Sequence, residues 1–311
     1  MCVLKPVTSI VHPIMPTNAS HHALPILSLL YSATLWGVLW YPLRELDKAG
    51  LHGVWATLVL FGAALAAGGW MAFAKLRGAR GAWFALLAMG LANGWCNVAF
   101  IVAILDGNVV RVTLLFFLSP LWATLLARVL LGERISLHAW GVLGLALGGA
   151  VTMLWNPDLG YPWPQSMADG LAISSGVAFA LSNVFIRKTE AVPLPVKTAC
   201  AWLGVAITAL LWIAVRHIEL PQVSTTVWWS AVALGVFGIL TMTIAVQYGV
   251  THMPVHRSAV IMLFELVASA VSSQLLTSEI VQPHEWVGGA LITLAAYFAA
   301  RSHLENKYGP D

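Results

Sequence analysis

Charge is scarce in this chain. Asp, Glu, Lys and Arg make up 9% of its 311 residues, against roughly 25% in an ordinary soluble protein. A fold of this size in water needs a polar shell, and 16 basic plus 13 acidic side chains cannot supply one. That excludes a soluble enzyme, a disordered scaffold and a nucleic-acid binder; a net charge of +3 is too small for phosphate-backbone binding. Cysteine is equally thin. Cys2, Cys96 and Cys200 lie too far apart for a disulfide framework or a zinc-ligand spacing, so no metal site is expected. No Walker A loop occurs, which removes ATP hydrolysis as an energy source, and no cofactor is implied. Period-2 alternation is missing too, which argues against a membrane β-barrel.

Long apolar runs are what remains. Hydrophobic residues reach 59% and mean hydropathy is +0.82. With about 20 apolar residues needed per crossing, the sequence predicts ten spans, at 24–43, 52–74, 82–104, 109–131, 137–155, 168–187, 196–215, 227–250, 256–277 and 284–301. The expected fold is an all-α integral membrane protein in a lipid bilayer. Its parts are a disordered tail over 1–23, a first five-helix repeat over 24–155, a linker at 156–167, a second repeat over 168–301 and a C-terminal tail at 302–311. The three histidines of the tail, His12, His21 and His22, could hold a metal, but a floppy terminus is the stronger reading, and no apolar stretch makes the tail a secretory signal. With the N-terminus in the cytoplasm, 12 of the 16 Lys and Arg fall inside and 4 outside (Arg44, Lys48, Arg111 and Arg216). The expectation is a cell (inner) membrane protein with both termini cytoplasmic.

The second half echoes the first at an offset of 146 residues. Arg111 maps to Arg257, Glu133 to Glu279, His138 to His284 and Trp140 to Trp286, while Trp36-Gly37 falls on Ser182-Asn183. Five spans per copy is an odd number, so the copies lie upside down relative to each other. Inverted halves can expose one midplane site alternately to either side, which points to transport.

Several stretches carry a family resemblance. Ser119-Pro120 through Leu130-Leu131-Gly132-Glu133-Arg134, with Trp140-Gly141 and Gly148-Gly149, resembles the fourth and fifth helices of the EamA branch of the drug/metabolite transporter superfamily. Ala180-Leu181-Ser182-Asn183-Val184 with Arg187-Lys188 resembles the start of its second repeat, and Phe264-Glu265-Leu266 to Ser278-Glu279 its ninth helix. The resemblance implies a 5+5 inverted-repeat fold and efflux or exchange of small metabolites such as amino acids. Leu266 departs from the pattern, because members often carry proline there.

Candidate site residues follow from polarity in the wrong solvent. Glu265 stands near the middle of the ninth span, where a charge costs around 2.5–3.5 kcal/mol on insertion scales; it is the candidate proton-coupling or cation-binding group, the alternative being a buried acid that fixes helix packing. Asn93, Cys96, Asn97 and Phe100 share one face of the third span, and Trp95 lies just off it. The repeat sets Asn97 against Thr243, with Gln247 and Tyr248 a turn on; Asn183 and Ser182 are of the same kind. Such side chains line a cavity or hold helices together. Trp36, Trp95 and Trp122 sit deeper than the interfacial tryptophans and could form an aromatic wall for organic cations or aromatic metabolites, or simply pack. Arg111 and Arg257 open the fourth and ninth spans, where snorkelling to lipid phosphates competes with gating or contact to an anionic cargo. Glu133 and Glu279 are expected to accept backbone N–H bonds at the start of the helix that follows each. The leading expectation is a secondary active exporter or exchanger of a small-molecule substrate. The rivals are the same fold carrying anionic or nucleotide-linked sugar cargo, and an integral membrane enzyme. No catalytic arrangement of His, Ser or Glu on a common helix face speaks for the enzyme.

Overall fold

In the computed structural model, residues 19–155, 164–277 and 280–308 are described, with side chains from 23 to 302. Expectations that fall on 1–18, 156–163, 278–279 and 309–311 lie outside the described residues; these include most of the proposed tail, the first two-thirds of the linker and Glu279.

Apolar runs bounded by Gly, Pro and charged residues become helices because each backbone N–H and C=O must be paired within its own segment once water is gone. The first half runs α1 (Ala19–Lys48), α2 (Gly53–Gly68), a short α3 (Trp70–Phe73), α4 (Trp83–Asp106), α5 (Val109–Phe116), α6 (Ser119–Leu130) and α7 (Leu137–Leu154). The second runs α8 (Met167–Lys188), α9 (Leu194–Arg216), α10 (Thr225–Ala233), a π-helical stretch (Leu234–Ile239), α11 (Leu240–His252), α12 (Val255–Met262), α13 (Phe264–Leu276) and α14 (Pro283–Tyr308). Among the described residues, eight helical runs are long and apolar enough to cross a membrane; Gly53–Gly68 is apolar but shorter. α14 occupies the tenth span and carries His284, Glu285 and Arg301 at its ends. No described residue is in a strand.

The 146-residue register is visible in the helix bounds. α5 and α12 begin and end on equivalent residues, α4 and α11 end on equivalent residues, and the fourth and ninth spans are both interrupted at the same place, by Phe117-Leu118 and by Leu263. Pro120 explains the first interruption, since it lacks the N–H that would continue the ladder. Its equivalent is Leu266, and the ninth span breaks there without proline: Leu263 N–H and Leu266 N–H each bond three residues back, to Val260 and Leu263, which tightens one turn. Packing repeats as well. α1 lies on α11 and α13, while its equivalent α8 lies on α4 and α6. Two self-equivalent contacts, α2 on α9 and α7 on α14, close the bundle. The α4–α9 crossing is made by Gly90 against Gly204, where any Cβ on Gly204 would run into the Gly90 backbone. Small residues at such crossings let backbones meet where no hydrophobic force drives helices together in lipid.

Polar ties mark the two ends of the bundle. At one end the Arg111 guanidinium lies 3.7 Å from Asp169 at the start of α8, with 11% and 3% of the two side chains exposed. Arg111 therefore turns inward to a carboxylate and does not snorkel. At the other end lies the turn between α6 and α7. There Glu133 does not cap α7, as the sequence suggested; Ser136 does, accepting from Ala139 N–H at 3.1 Å. Glu133 reaches across to the other repeat, accepting from Val255 N–H at 3.0 Å and pairing with His256 Nδ1 at 2.7 Å. The reason is local. Asn108 caps α5 with its own side chain, whereas Pro254, the equivalent residue before α12, has no side-chain acceptor. Nearby, buried Lys197 donates to Thr251 Oγ1 and Arg187 to the Thr251 carbonyl, so two cations close the C-terminal end of α11.

Candidate functional site

Glu265 sits in the first turn of α13, directly after the break at Leu263. Its place near a helix start suits a carboxylate, because the N-terminal end of the dipole is positive. α1 holds that turn from behind. A Cβ on Gly37 would stand 2.5 Å from the Glu265 carbonyl oxygen, Ser272 donates to the Gly37 carbonyl at 3.0 Å, and Trp40 Nε1 donates to Ser272 Oγ at 2.9 Å. The Glu265 carboxylate itself has no hydrogen bond or ion pair to any described side chain or backbone group. It faces a cavity of about 120 Å³.

The cavity lies between the repeats, and its walls obey their symmetry. Trp36 and Ser182, Asn97 and Thr243, Phe100 and Val246, and Phe116 and Met262 are four pairs related by the 146-residue offset, and all eight line it. Asn93, Asn183, Gln247 and Glu265 add polarity. On one side the rings of Phe100 and Phe116 lie 4.6 Å apart, with Phe179 5.8 Å from Phe116. The other side is amide-rich. Asn97 donates to the Asn93 carbonyl and side chain at 2.9 and 3.0 Å, which ties the two amides to one helix face. Ser182 Oγ, Asn183 Nδ2 and both polar atoms of the Gln247 amide are buried without a partner among the described residues. Buried polar atoms are nearly always bonded, and each orphan costs about 1–3 kcal/mol. Four of them, with one unpaired carboxylate around one cavity, form a set of groups arranged for something that enters.

The sequence candidates divide accordingly. Trp36, Asn93, Asn97, Asn183, Thr243, Gln247 and Glu265 come together, with Cys96, Phe100 and Ser182 beside them. Five do not line the cavity. Trp95 is 37% exposed on the outer face of α4, bonded to Ser174 Oγ at 3.1 Å and edge-on to Trp212. Trp122 packs α6 against Ala180, Val184 and Val255. Tyr248 stacks on His252 with ring centroids 4.2 Å apart. Arg111 and Arg257 lie at opposite ends of the bundle, away from the cavity. Sequence reasoning missed Phe61, Phe116, Phe179, Ile186, Val246 and Met262, which are apolar residues in apolar spans. The register could have found three of them: Val246 as the equivalent of Phe100, and Phe116 with Met262 as the matched pair before each break.

Two matched helical halves, odd in pass number, around a central polar cavity define a multi-pass membrane transporter. Comparison with known proteins agrees and narrows it. The EamA-like transporter family matches twice, over residues 23–155 and again over 166–301; the chain belongs to that family. An uncharacterized transporter of Archaeoglobus fulgidus is 25% identical over 218 residues, covering 70% of this chain and 76% of that one. A crystal structure with 20% identity superposes with a TM-score of 0.69 over 94% of this chain and 99% of its own, a likeness of fold.

Proposed function

We propose that this protein is a secondary active transporter that moves small organic metabolites, such as amino acids or amines, out of the cell by alternating access, with Glu265 coupling cargo to protons. The observation that carries the reading is the unpaired Glu265 carboxylate facing the same cavity as the orphaned amides of Asn183 and Gln247. A carboxylate that can bind either a proton or the cationic part of a cargo links the two fluxes. Phe100, Phe116, Phe179 and Trp36 supply apolar and cation–π surface. The lining residues include no Lys, Arg or His, which speaks against anionic cargo, nucleotide-linked sugars included. The bias of Lys and Arg supports a cell (inner) membrane orientation with both termini cytoplasmic; the ties at Arg111 and Glu133 would then gate the outer and inner faces.

The test uses proteoliposomes with an imposed pH gradient and a panel of radiolabelled amino acids and amines. Uptake by the wild type should follow the gradient, and Glu265→Gln should remove that dependence and weaken, through loss of the carboxylate, the exchange of cationic cargo that remains. A Glu265→Gln protein whose transport still tracks the gradient would end the coupling assignment.

A further inference from the structure

A second concavity, of about 370 Å³, lies away from the transport cavity, at the Glu133 end of the bundle. The geometry points to a binding site there for a phosphate-bearing ligand, held by Arg257 with His138 and His256. Both repeats build it: Thr124, Ser136 and His138 come from the first, and His256, Arg257 and Ala299 from the second, with Ser302 just beyond its end. Val142 and Val260 give it an apolar floor.

The argument begins with Arg257. Its equivalent in the first repeat, Arg111, is matched by a carboxylate, Asp169. Arg257 has no carboxylate within ion-pair distance among the described residues. One nitrogen, Nη1, donates to the Ser302 carbonyl at 2.9 Å, which aims the guanidinium and leaves the rest of its fork of five donors. The acid next to this site, Glu133, is engaged by Val255 and His256. That pairing fixes the His256 ring through Nδ1 and leaves Nε2 as its other polar atom. Thr124 already donates to the Pro120 carbonyl at 2.8 Å, but a guanidinium, two imidazoles and the hydroxyls of Ser136 and Ser302 still outnumber what the two oxygens of a carboxylate can use. They suit the three or four oxygens of a phosphate, for which arginine is the preferred partner. His138 and Ser136 are exposed, so the site is reachable from water. The apolar floor admits the organic part of a phosphate ester or the upper chain of a phospholipid; the shared chemistry is the phosphate. Because the walls belong to different repeats, a bound phosphate would hold this end together.

The experiment takes the purified full-length chain in nanodiscs of a phosphate-free galactolipid and follows thermal unfolding. One arm titrates inorganic phosphate against chloride at equal ionic strength, and the other replaces part of the lipid with phosphatidic acid. A saturable stabilisation in the first arm supports a free phosphate ligand, and one confined to the second supports a lipid headgroup. In either case Arg257→Gln should weaken the apparent affinity about tenfold or more, the effect of losing roughly 1.4 kcal/mol, and Arg257→Lys should weaken it less. His138→Gln, at an exposed position, gives a second reading if Arg257→Gln does not fold, with an expected loss of about threefold. Stabilisation by neither phosphate source, or stabilisation equal in wild type, Arg257→Gln and His138→Gln, overturns the assignment.

Discussion

Replacing Glu133 by Ala tests whether the tie between the α6–α7 turn and α12 holds one end of the bundle shut. The side chain is 15% exposed and that of His256 9%, so screening by water is slight. Two interactions would go. The 2.7 Å contact to His256 is charge-assisted and stands for about 1.5–3 kcal/mol. The acceptor for Val255 N–H is a helix cap donated from another segment, and caps contribute about 0.5–2 kcal/mol. Both involve one carboxylate, so the terms overlap, and roughly 3 kcal/mol is a fair total; that is more than a hundredfold in an equilibrium constant. The readout is maleimide labelling of Thr124→Cys, made in a background without Cys2, Cys96 and Cys200. Thr124 is buried at 2% and lines the crevice beside this tie, so it should label quickly only when the end opens. Glu133→Ala should raise the labelling rate by about two orders of magnitude, and Glu133→Gln, which keeps one acceptor oxygen, by less. The same tie sets a pH window. Burial pushes the Glu133 carboxyl up, but bonds from His256 and Val255 outweigh it and hold it below its ordinary value of 4.5. Its contribution is therefore complete above that value and is lost only as pH falls through the lowered one. Labelling of Thr124→Cys that is indifferent to Glu133→Ala in a protein that still unfolds cooperatively would refute the tie.

Asn183→Leu and Gln247→Leu should abolish or strongly reduce transport while leaving thermal stability equal or higher, since each removes buried polar atoms without partners that cost about 1–3 kcal/mol; a loss of stability in both would mark them as packing residues. Gly204→Val should prevent assembly or lower stability by about 3 kcal/mol or more, because the side chain would meet the Gly90 backbone across the α4–α9 crossing, as read by unfolding in detergent. Trp95→Phe gives up one bond from an exposed indole to the Ser174 hydroxyl and should cost under about 1 kcal/mol with cargo transport intact; a selective loss of transport would return Trp95 to the site.

The fold was legible because lipid imposes a rule that the sequence cannot evade. Continuous apolar runs must be helices, and an odd number of them in each copy fixes the relation between the halves. The polar half of the cavity was legible for the same reason: Glu265, Asn97 and Gln247 are conspicuous only because their surroundings are apolar. Its aromatic half was not, since Phe116 and Phe179 look like any other residue of a span. The tryptophans misled for a related reason. Depth along a helix says nothing about azimuth, and Trp95, one residue from the cavity-facing Cys96, points the other way. Glu133 shows the limit of local reasoning most clearly. Its neighbourhood in sequence offers α7 as the helix to cap, but Ser136 already does so, and the vacant end is that of α12, 122 residues further on.

The placement of the two polar ties bears on how such a molecule could move. Arg111–Asp169 joins α5 to α8 at one end, and Glu133 joins the α6–α7 turn to α12 at the other; each links one repeat to the other. The glycine crossings, Gly90 with Gly204 and Gly149 with Gly288, are backbone against backbone, and prising them apart in lipid forfeits dispersion contacts with nothing to replace them. Polar ties near water are different, because solvent can take over each hydrogen bond as it breaks. In the proposed cycle the crossings therefore serve as pivots and the ties as latches. The interruptions at Phe117-Leu118 and Leu263 lie at the cavity wall on the fourth and ninth spans, directly after Phe116 and between Met262 and Glu265, where a small change in one turn would swing one half of the span without disturbing the other. Cargo bridging Glu265 and the Asn183 and Gln247 amides would draw α13 towards α8 and α11, and so bias which latch is closed.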